Sequence, residues 1–291
     1  MNILPTVMPD EFAPGYLGRI HILNLLGKPN QTLKALIDYF ALQPSRIRRI
    51  EALAFAAKTS TQLFVQNHTL IPANSAISEN LGGVCHGHPK YGALFSHSWN
   101  HLQKSGVYFC PQCVDEQRGC LGFSYWQRLN QLRGVSWCSK HFCPLLGCPE
   151  NSLTIATPNV DLATNAAPEI EPEEPYWPVV KRYSEIMHGF LRRGFRAGRS
   201  DVARTIRAVA ARQAIYMGTN NGCDLLSDIA VSQLPAWWLK ELFPSIHTKQ
   251  LGVPFLPFDN TLLNDHAQPH AFALAMALLY RSSKKALVDM P

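Results

Sequence analysis

The sequence of 291 residues carries a formal net charge of +6, and hydrophobic residues make up 46% of it. This composition is ordinary for a soluble globular protein of two or three compact units. The longest apolar stretches, such as residues 271–279, are too short to cross a bilayer, and the first residues lack the basic segment of a secretory signal. The sequence therefore predicts a cytoplasmic protein with no membrane partner.

Residues 1–65 are predicted to form a helical domain that resembles a helix-turn-helix. A first helix is indicated by apolar residues at helical spacing, which end at Gly27. Asn30 can cap a second helix, and Ser45 can cap a third after a short break. The apolar positions of the first helix are Leu17, Ile20, Leu23 and Leu26.

Three arginines stand near the start of the third predicted helix, where a recognition helix would contact DNA. They form a candidate set for binding nucleic acid or a partner, and ordinary helical packing is the alternative. The set consists of Arg46, Arg48 and Arg49.

Residues 66–150 contain two pairs of metal-ligand residues and are predicted to form a small zinc-knuckle module. Cys110 and Cys113 form a C-x-x-C pair, and Cys138 and His141 form a C-x-x-H pair further along. Two such pairs complete the Cys₃His shell that zinc prefers, and this closed set leaves no position for a substrate. The spacing therefore predicts one structural Zn²⁺ site.

The fourth ligand is the least determined part of this site. Cys143 lies two residues after His141, and Cys120 and Cys148 are also nearby. His141 is the predicted ligand because its two-residue gap from Cys138 matches that of the first pair. Whether one of the other three cysteines joins a metal site is left open.

Residues 151–178 are rich in proline and glutamate and are predicted to be a linker, followed by a basic helical C-terminal domain at residues 179–291. Ser200 stands at an N-cap position within that domain. Residues 181–212 hold nine basic and two acidic side chains, a pattern that indicates binding of phosphate or of an acidic partner, although a solvated helix face is equally compatible. The candidate residues are Arg192, Arg193, Arg196, Arg199, Arg204 and Arg207. The predicted fold class is thus mainly α.

Several segments resemble the TniQ/TnsD family of bacterial transposition proteins. The zinc-binding core of that family is similar to residues 108–149, with a C-P-x-C pair, an aromatic segment, C-x-x-H, a Leu-rich turn and C-P. The opening PDEFAPGYLGRI and residues 234–244, LPAWWLKELFP, resemble further family elements. A second C-x-x-C set that many members carry has no counterpart here, because the cysteine that follows Cys148 is Cys223.

This resemblance implies a short, non-catalytic adaptor for choosing the target site of DNA transposition. Its implied partners are a AAA+ ATPase regulator, DNA, a second copy of the chain, and in RNA-guided systems a CRISPR surveillance complex such as Cascade with its guide RNA. The alternative is a stand-alone, zinc-containing DNA-binding regulator. A zinc enzyme is disfavoured, since the chain has no H-x-E motif of the kind that deaminases use.

Overall fold

The computed structural model of the chain describes residues 3–42, 49–79, 82–88, 90, 104–166, 174, 177–213, 225–263 and 266–291. Over these residues the protein is mostly helical, with a few short strands, which confirms the predicted mainly α class. No helix of the described segments is long and apolar enough to cross a membrane.

The elements follow one another along the chain with short connections. The helices are α1 (Ala13–Leu23), α2 (Pro29–Tyr39), α3 (Arg49–Ala56), α4 (Thr61–His68), α5 (Ile71–Asn74), α6 (Pro111–Leu121), α7 (Ser152–Ile155), α8 (Trp177–Arg192), α9 (Arg199–Arg212), α10 (Leu226–Gln233), α11 (Ala236–Leu242), α12 (Leu256–Leu263), α13 (Pro269–Leu279) and α14 (Ser283–Asp289). The strands are β1 (Ile77–Ser78), β2 (Val107–Phe109), β3 (Leu146–Cys148), β4 (Asn165–Ala166) and β5 (Ala197–Gly198).

The chain divides into two compact units. Unit 1 contains residues 1–71 and 85–169, and unit 2 contains residues 72–84 and 170–291. The N-terminal helices and the cysteine-rich segment therefore lie in the same unit. The division into four segments at residues 65, 150 and 178 remains a prediction about which parts fold independently.

The N-terminal core of unit 1 is formed by α1 to α4. Tyr16 of α1 and Phe64 of α4 are fully buried, and their ring centroids are 6.3 Å apart. Leu36 of α2 and Leu53 of α3 complete the same apolar cluster. Burial of such side chains stabilises a fold by about 1.5–3 kcal/mol each, so this cluster fixes how the first four helices pack.

Two glycines let α1 approach the elements beside it very closely. A Cβ atom at Gly15 would lie 2.9 Å from the side chain of Trp126. A Cβ atom at Gly18 would lie 2.1 Å from the backbone oxygen of Leu153 in α7. Since a backbone oxygen cannot turn aside as a flexible side chain can, Gly18 is required for this contact between α1 and α7.

We therefore expect Gly18→Ala to lower the free energy of unfolding by about 1–3 kcal/mol, the usual cost of overpacking. Urea denaturation of the metal-loaded protein measures this change. Gly119→Ala is the matched control, because a Cβ there meets nothing within 4 Å and alanine favours the helix by up to about 1 kcal/mol. Equal stability of the two variants would contradict the close α1–α7 contact.

A three-stranded antiparallel sheet of order β2-β3-β4 connects the cysteine-rich segment to the residues that follow it. Val107 pairs with Cys148, and Leu146 pairs with Ala166. Together with α7 and a 3₁₀ turn at Val160–Leu162, β4 gives regular structure to residues that composition had assigned to a linker. Residues 167–173 of that linker lie outside the described residues.

Arg128 attaches the cysteine-rich segment to the N-terminal helices. Its Nε and one of its terminal nitrogens each lie 2.8 Å from a carboxylate oxygen of Asp10. It also donates hydrogen bonds to the backbone oxygens of Gln66 and Thr69, at 2.5 and 3.2 Å. A buried guanidinium with these partners holds the 3₁₀ helix Arg128–Gln131 against the first four helices.

Unit 2 is a helical assembly with a short parallel pair of strands, β1 and β5, in which Ile77 pairs with Ala197. Helix α8 packs against α13 and α14, and its Tyr183 meets Trp238 of α11 edge to face at 5.2 Å. Asp259 of α12 accepts hydrogen bonds from the backbone and hydroxyl of Ser227, at 3.0 and 2.6 Å. This buried carboxylate connects α12 to the first turn of α10.

Three helix limits predicted from the sequence were wrong. Helix α1 ends at Leu23 rather than near Gly27, because the Asn24 side chain hydrogen-bonds to the backbone of Ile20 and Ile3 instead of continuing the helix. Helix α2 starts at Pro29, so Asn30 lies inside it; proline suits the first helical position because its missing N–H has no partner to lose there. Helix α9 begins at Arg199, with Gly198 rather than Ser200 at the N-cap. Ser45 lies outside the described residues.

Candidate metal centre

The first half of the centre is the start of helix α6. Cys110 is the N-cap residue, and its Sγ accepts a hydrogen bond from the backbone N–H of Cys113 at 3.4 Å. Pro111 follows at the first helical position, where proline needs no hydrogen-bond partner. The helix start therefore directs the Cys110 and Cys113 thiols toward the same point.

The second half is a tight turn at residues 138–143. The backbone N–H of His141 donates to Cys138 Sγ at 3.4 Å, repeating the geometry of the first half. Phe142 has a left-handed backbone with φ of 53°, and the N–H of Cys138 then donates to the oxygen of Cys143 at 2.9 Å. The reversed chain places Cys138 and His141 opposite the start of α6.

The distances between the four predicted ligand atoms fit one tetrahedral ion. Zn–S bonds of about 2.3 Å and Zn–N bonds of about 2.0–2.1 Å require S···S separations of about 3.8 Å and S···N separations of about 3.6 Å. The Sγ atoms of Cys113 and Cys138 are 3.7 Å apart, and Nδ1 of His141 lies 3.3–3.6 Å from the three sulfurs. All four donor atoms lie within 4.8 Å of one another. The Cys₃His cluster could therefore hold a metal ion.

Burial of the cluster adds to this fit. The three cysteines are buried, and Leu145 and Tyr108 pack against them. Hydrogen bonds from Cys113 and Cys138 lower the pKa of the Cys110 thiol to about 2, and the hydrogen bond with Cys110 raises the pKa of Cys113. Several thiolates this close repel one another, and a divalent cation removes that penalty because it neutralises them.

The other cysteines named in the sequence are placed differently. Cys143 Sγ lies 3.4 Å from Cys110 Sγ, so a fifth sulfur stands beside the four-residue group. Cys120 is exposed on α6, and Cys148 is buried in β3, where burial raises the pKa of its thiol to about 11. Cys223 lies outside the described residues.

Sequence reasoning missed Glu116, which contacts the outer side of the histidine ligand. Its Oε1 lies 3.1 Å from Nε2 of His141, and its other oxygen accepts from Nζ of Lys140. These contacts lower the pKa of Glu116, with Lys140 as the larger cause. The signal in the sequence is an acid three residues after Cys113, on the same face of the helix, which has meaning only once the 138–143 turn is known to lie there.

The basic residues of unit 2 are not one uniform surface. Arg192 and Arg204 are exposed, and Arg204 pairs with Asp201 at 2.8 Å. Arg207 is half-buried and donates to the backbone oxygen of Leu262 at 2.7 Å, and Arg196 is only 2% exposed. Their role in binding remains a prediction.

Two further arginines of that set make local contacts. Arg193 stacks over Phe195 at 4.6 Å and donates to the oxygen of Pro291. Arg199 lies 3.5 Å from Glu79. In the N-terminal set Arg49 is exposed at the start of α3, and Arg46 and Arg48 lie outside the described residues.

Comparison with protein families gives one match. The family model described as TniQ matches residues 2–145, a range that includes helices α1 to α6 and all four residues of the Cys₃His cluster. No curated protein matches the sequence.

Proposed function

Because the chain belongs to the TniQ family through its domain at residues 2–145, and is thus a transposition-associated protein, we propose that it is a non-catalytic adaptor that selects the target site for DNA transposition. The TniQ domain is the observation that carries this proposal. In this role the protein links a complex that recognises the target to the machinery that inserts the transposon.

The metal cluster supports a binding role rather than catalysis. We propose that the ion is Zn²⁺ and that its function is structural. Three thiolates and one imidazole suit zinc, and four protein ligands leave no open coordination position for water or substrate. Such an ion supplies folding free energy to residues 107–148, where regular structure is short.

The partners proposed for the adaptor are a AAA+ ATPase that regulates transposition, DNA and a second copy of the chain. A CRISPR surveillance complex with its guide RNA is the proposed target-recognition complex. The basic residues of unit 2 support contact with phosphate or with an acidic protein surface. They do not distinguish RNA-guided targeting from direct reading of DNA.

The proposal is tested by a pull-down of the AAA+ ATPase encoded beside this gene, with and without DNA and with and without any co-encoded guide complex. We expect the ATPase to be recovered with the protein. Dependence on the guide complex would assign RNA-guided targeting. Failure to recover the ATPase, together with tight binding of one DNA sequence by the protein alone, would favour the stand-alone regulator instead.

The basic residues allow a more quantitative prediction. If Arg192 and Arg204 contact phosphate, each alanine variant should weaken DNA binding at all sequences alike and reduce the slope of log Kd against log salt concentration by about one unit. The measurement is a salt titration of DNA affinity by fluorescence anisotropy, with the adaptor's partner complex present if the protein alone does not bind.

Arg281→Ala is the matched control, since Arg281 is an exposed arginine of the same unit that lies outside the basic block. Its variant should keep the wild-type slope. Unchanged slopes in the Arg192 and Arg204 variants would remove these two residues from the DNA-binding surface. Arg196 is left out of the test because its substitution would disturb the core of unit 2.

A further inference from the structure

Five donor groups, rather than four, surround the metal centre. Cys110, Cys113 and Cys138 contribute three thiols, and either His141 or Cys143 has the chemistry for the fourth position. Cys143 Sγ is 3.4 Å from Cys110 Sγ, as close as Nδ1 of His141, which is 3.3 Å from the same atom. Distance to Cys110 alone therefore does not decide which residue is the fourth ligand.

Glu116 provides a reason for choosing His141. A neutral imidazole has one N–H donor and one nitrogen with a free lone pair, and only the second can bind a metal. Nε2 of His141 faces Oε1 of Glu116 at 3.1 Å, and a carboxylate can only accept. The proton of the ring therefore belongs on Nε2, which leaves the lone pair on Nδ1 directed at the three sulfurs.

The carboxylate is itself held in place from two sides. Glu116 lies on α6, three residues after Cys113, so the helix that supplies two thiols also carries the acid. Lys140, the residue before His141, donates to its other oxygen, so Glu116 spans two consecutive residues of the 138–143 turn. Carboxylates that accept from a metal-bound histidine fix the orientation of its ring and raise its basicity.

We propose that Glu116 determines the fourth ligand of the centre: by holding His141 with Nδ1 toward the metal it keeps Cys143 out of the coordination shell. This inference rests on the metal site proposed above and not on the adaptor function. Without Glu116 the imidazole ring loses the partner that orients it. Cys143, whose backbone oxygen is held by the N–H of Cys138, is then the nearest replacement.

The test uses Co²⁺ as the probe, because it replaces zinc in tetrahedral thiolate sites and its sulfur-to-cobalt charge-transfer absorption grows with the number of thiolate ligands. The variants are Glu116→Ala, Glu116→Gln and the double variant Glu116→Ala/Cys143→Ser in the full chain. Asp115→Ala is the control, since Asp115 is an exposed acid at the neighbouring position of the same helix.

We expect Glu116→Ala to bind Co²⁺ about 10–100-fold more weakly and to show a stronger charge-transfer band, as a fourth thiolate enters. Adding Cys143→Ser should return the band to its wild-type intensity and weaken binding further. Glu116→Gln should keep the wild-type band, because its amide oxygen still accepts from Nε2. Asp115→Ala should match the wild type in both measurements.

Two results would overturn the proposal. An unchanged band in Glu116→Ala, even with weaker binding, would mean that Glu116 only supports the local structure. A weaker band in Cys143→Ser alone would mean that Cys143 is already a ligand in the native protein. Absence of any Co²⁺ uptake by the wild-type protein would overturn the metal site as well, which separates the two failures.

Discussion

Cys113→Ser should remove the metal and unfold the cysteine-rich segment of unit 1. Serine keeps the size of the side chain but is a poor ligand for zinc, and three donors remain for an ion that prefers four. Structural zinc contributes about 10–16 kcal/mol of binding free energy, so an equal share for one of four ligands is roughly 3–4 kcal/mol of folding free energy. Metal content by elemental analysis and urea denaturation measure the two effects.

Cys120→Ser is the matched control for this experiment. Cys120 lies on the same helix as Cys113 but is exposed, and it does not belong to the Cys₃His cluster. We expect this variant to keep one metal ion per chain and wild-type stability. A Cys113→Ser protein with full metal content and unchanged denaturation midpoint would disprove the assignment of Cys113 as a ligand.

The four-residue cluster could be predicted from the sequence because each half of it is local. A gap of two residues between ligands is set by a single turn of chain, and both halves do use the same N–H to sulfur hydrogen bond. Glu116 could not be predicted, because its contact depends on how α6 meets a turn about 25 residues away. Spacing within one element does not contain that information.

The basic segment shows the opposite limit of sequence reasoning. Counting charges gave six equivalent arginines, yet Arg196 is buried and Arg207 donates to the backbone of another helix. Charge is a property of a residue type, whereas exposure depends on the tertiary contacts of the whole unit. Likewise α1 ended early because Asn24 has backbone partners that periodicity cannot reveal.

The opening segment PDEFAPGYLGRI, which carried part of the family resemblance, has a structural explanation. Asp10 pairs with Arg128, Glu11 pairs with Arg19, and Gly18 permits contact with α7. These interactions join the N-terminal helices to the segment that bears the metal ligands. The match of the TniQ family to residues 2–145 thus covers one interdependent part of unit 1 rather than two separate motifs.

Arg19→Met should destabilise unit 1 strongly at neutral pH. Arg19 donates two hydrogen bonds to Glu11, at 2.6 and 2.8 Å, and a third to the backbone oxygen of Thr6 at 2.7 Å. Glu11 is fully buried, so the variant leaves a carboxylate without a cation in the interior. Breaking a buried pair in this way costs about 3–5 kcal/mol, measured by urea denaturation at pH 7.

The loss should be smaller at pH 5 than at pH 7. Burial raises the pKa of the Glu11 carboxyl, and Arg19 is the main group that lowers it, so the variant raises this pKa further. A carboxyl whose pKa is higher in the folded protein than in the unfolded chain binds more protons when folded, and stability is therefore lost as the pH rises through the interval between the two values. In acid the unpaired Glu11 becomes neutral and the penalty falls.

The metal site also responds to acid, so each variant is compared with the wild type at the same pH. Arg118→Met, at an exposed arginine of α6, should stay within about 0.5 kcal/mol of the wild type at both values. The double variant Arg19→Met/Glu11→Gln removes the titrating group, and its deficit should be the same at pH 5 and pH 7. A deficit of Arg19→Met that did not change with pH would show that the cost comes from lost packing and hydrogen bonds of the arginine, and not from an unpaired charge on Glu11.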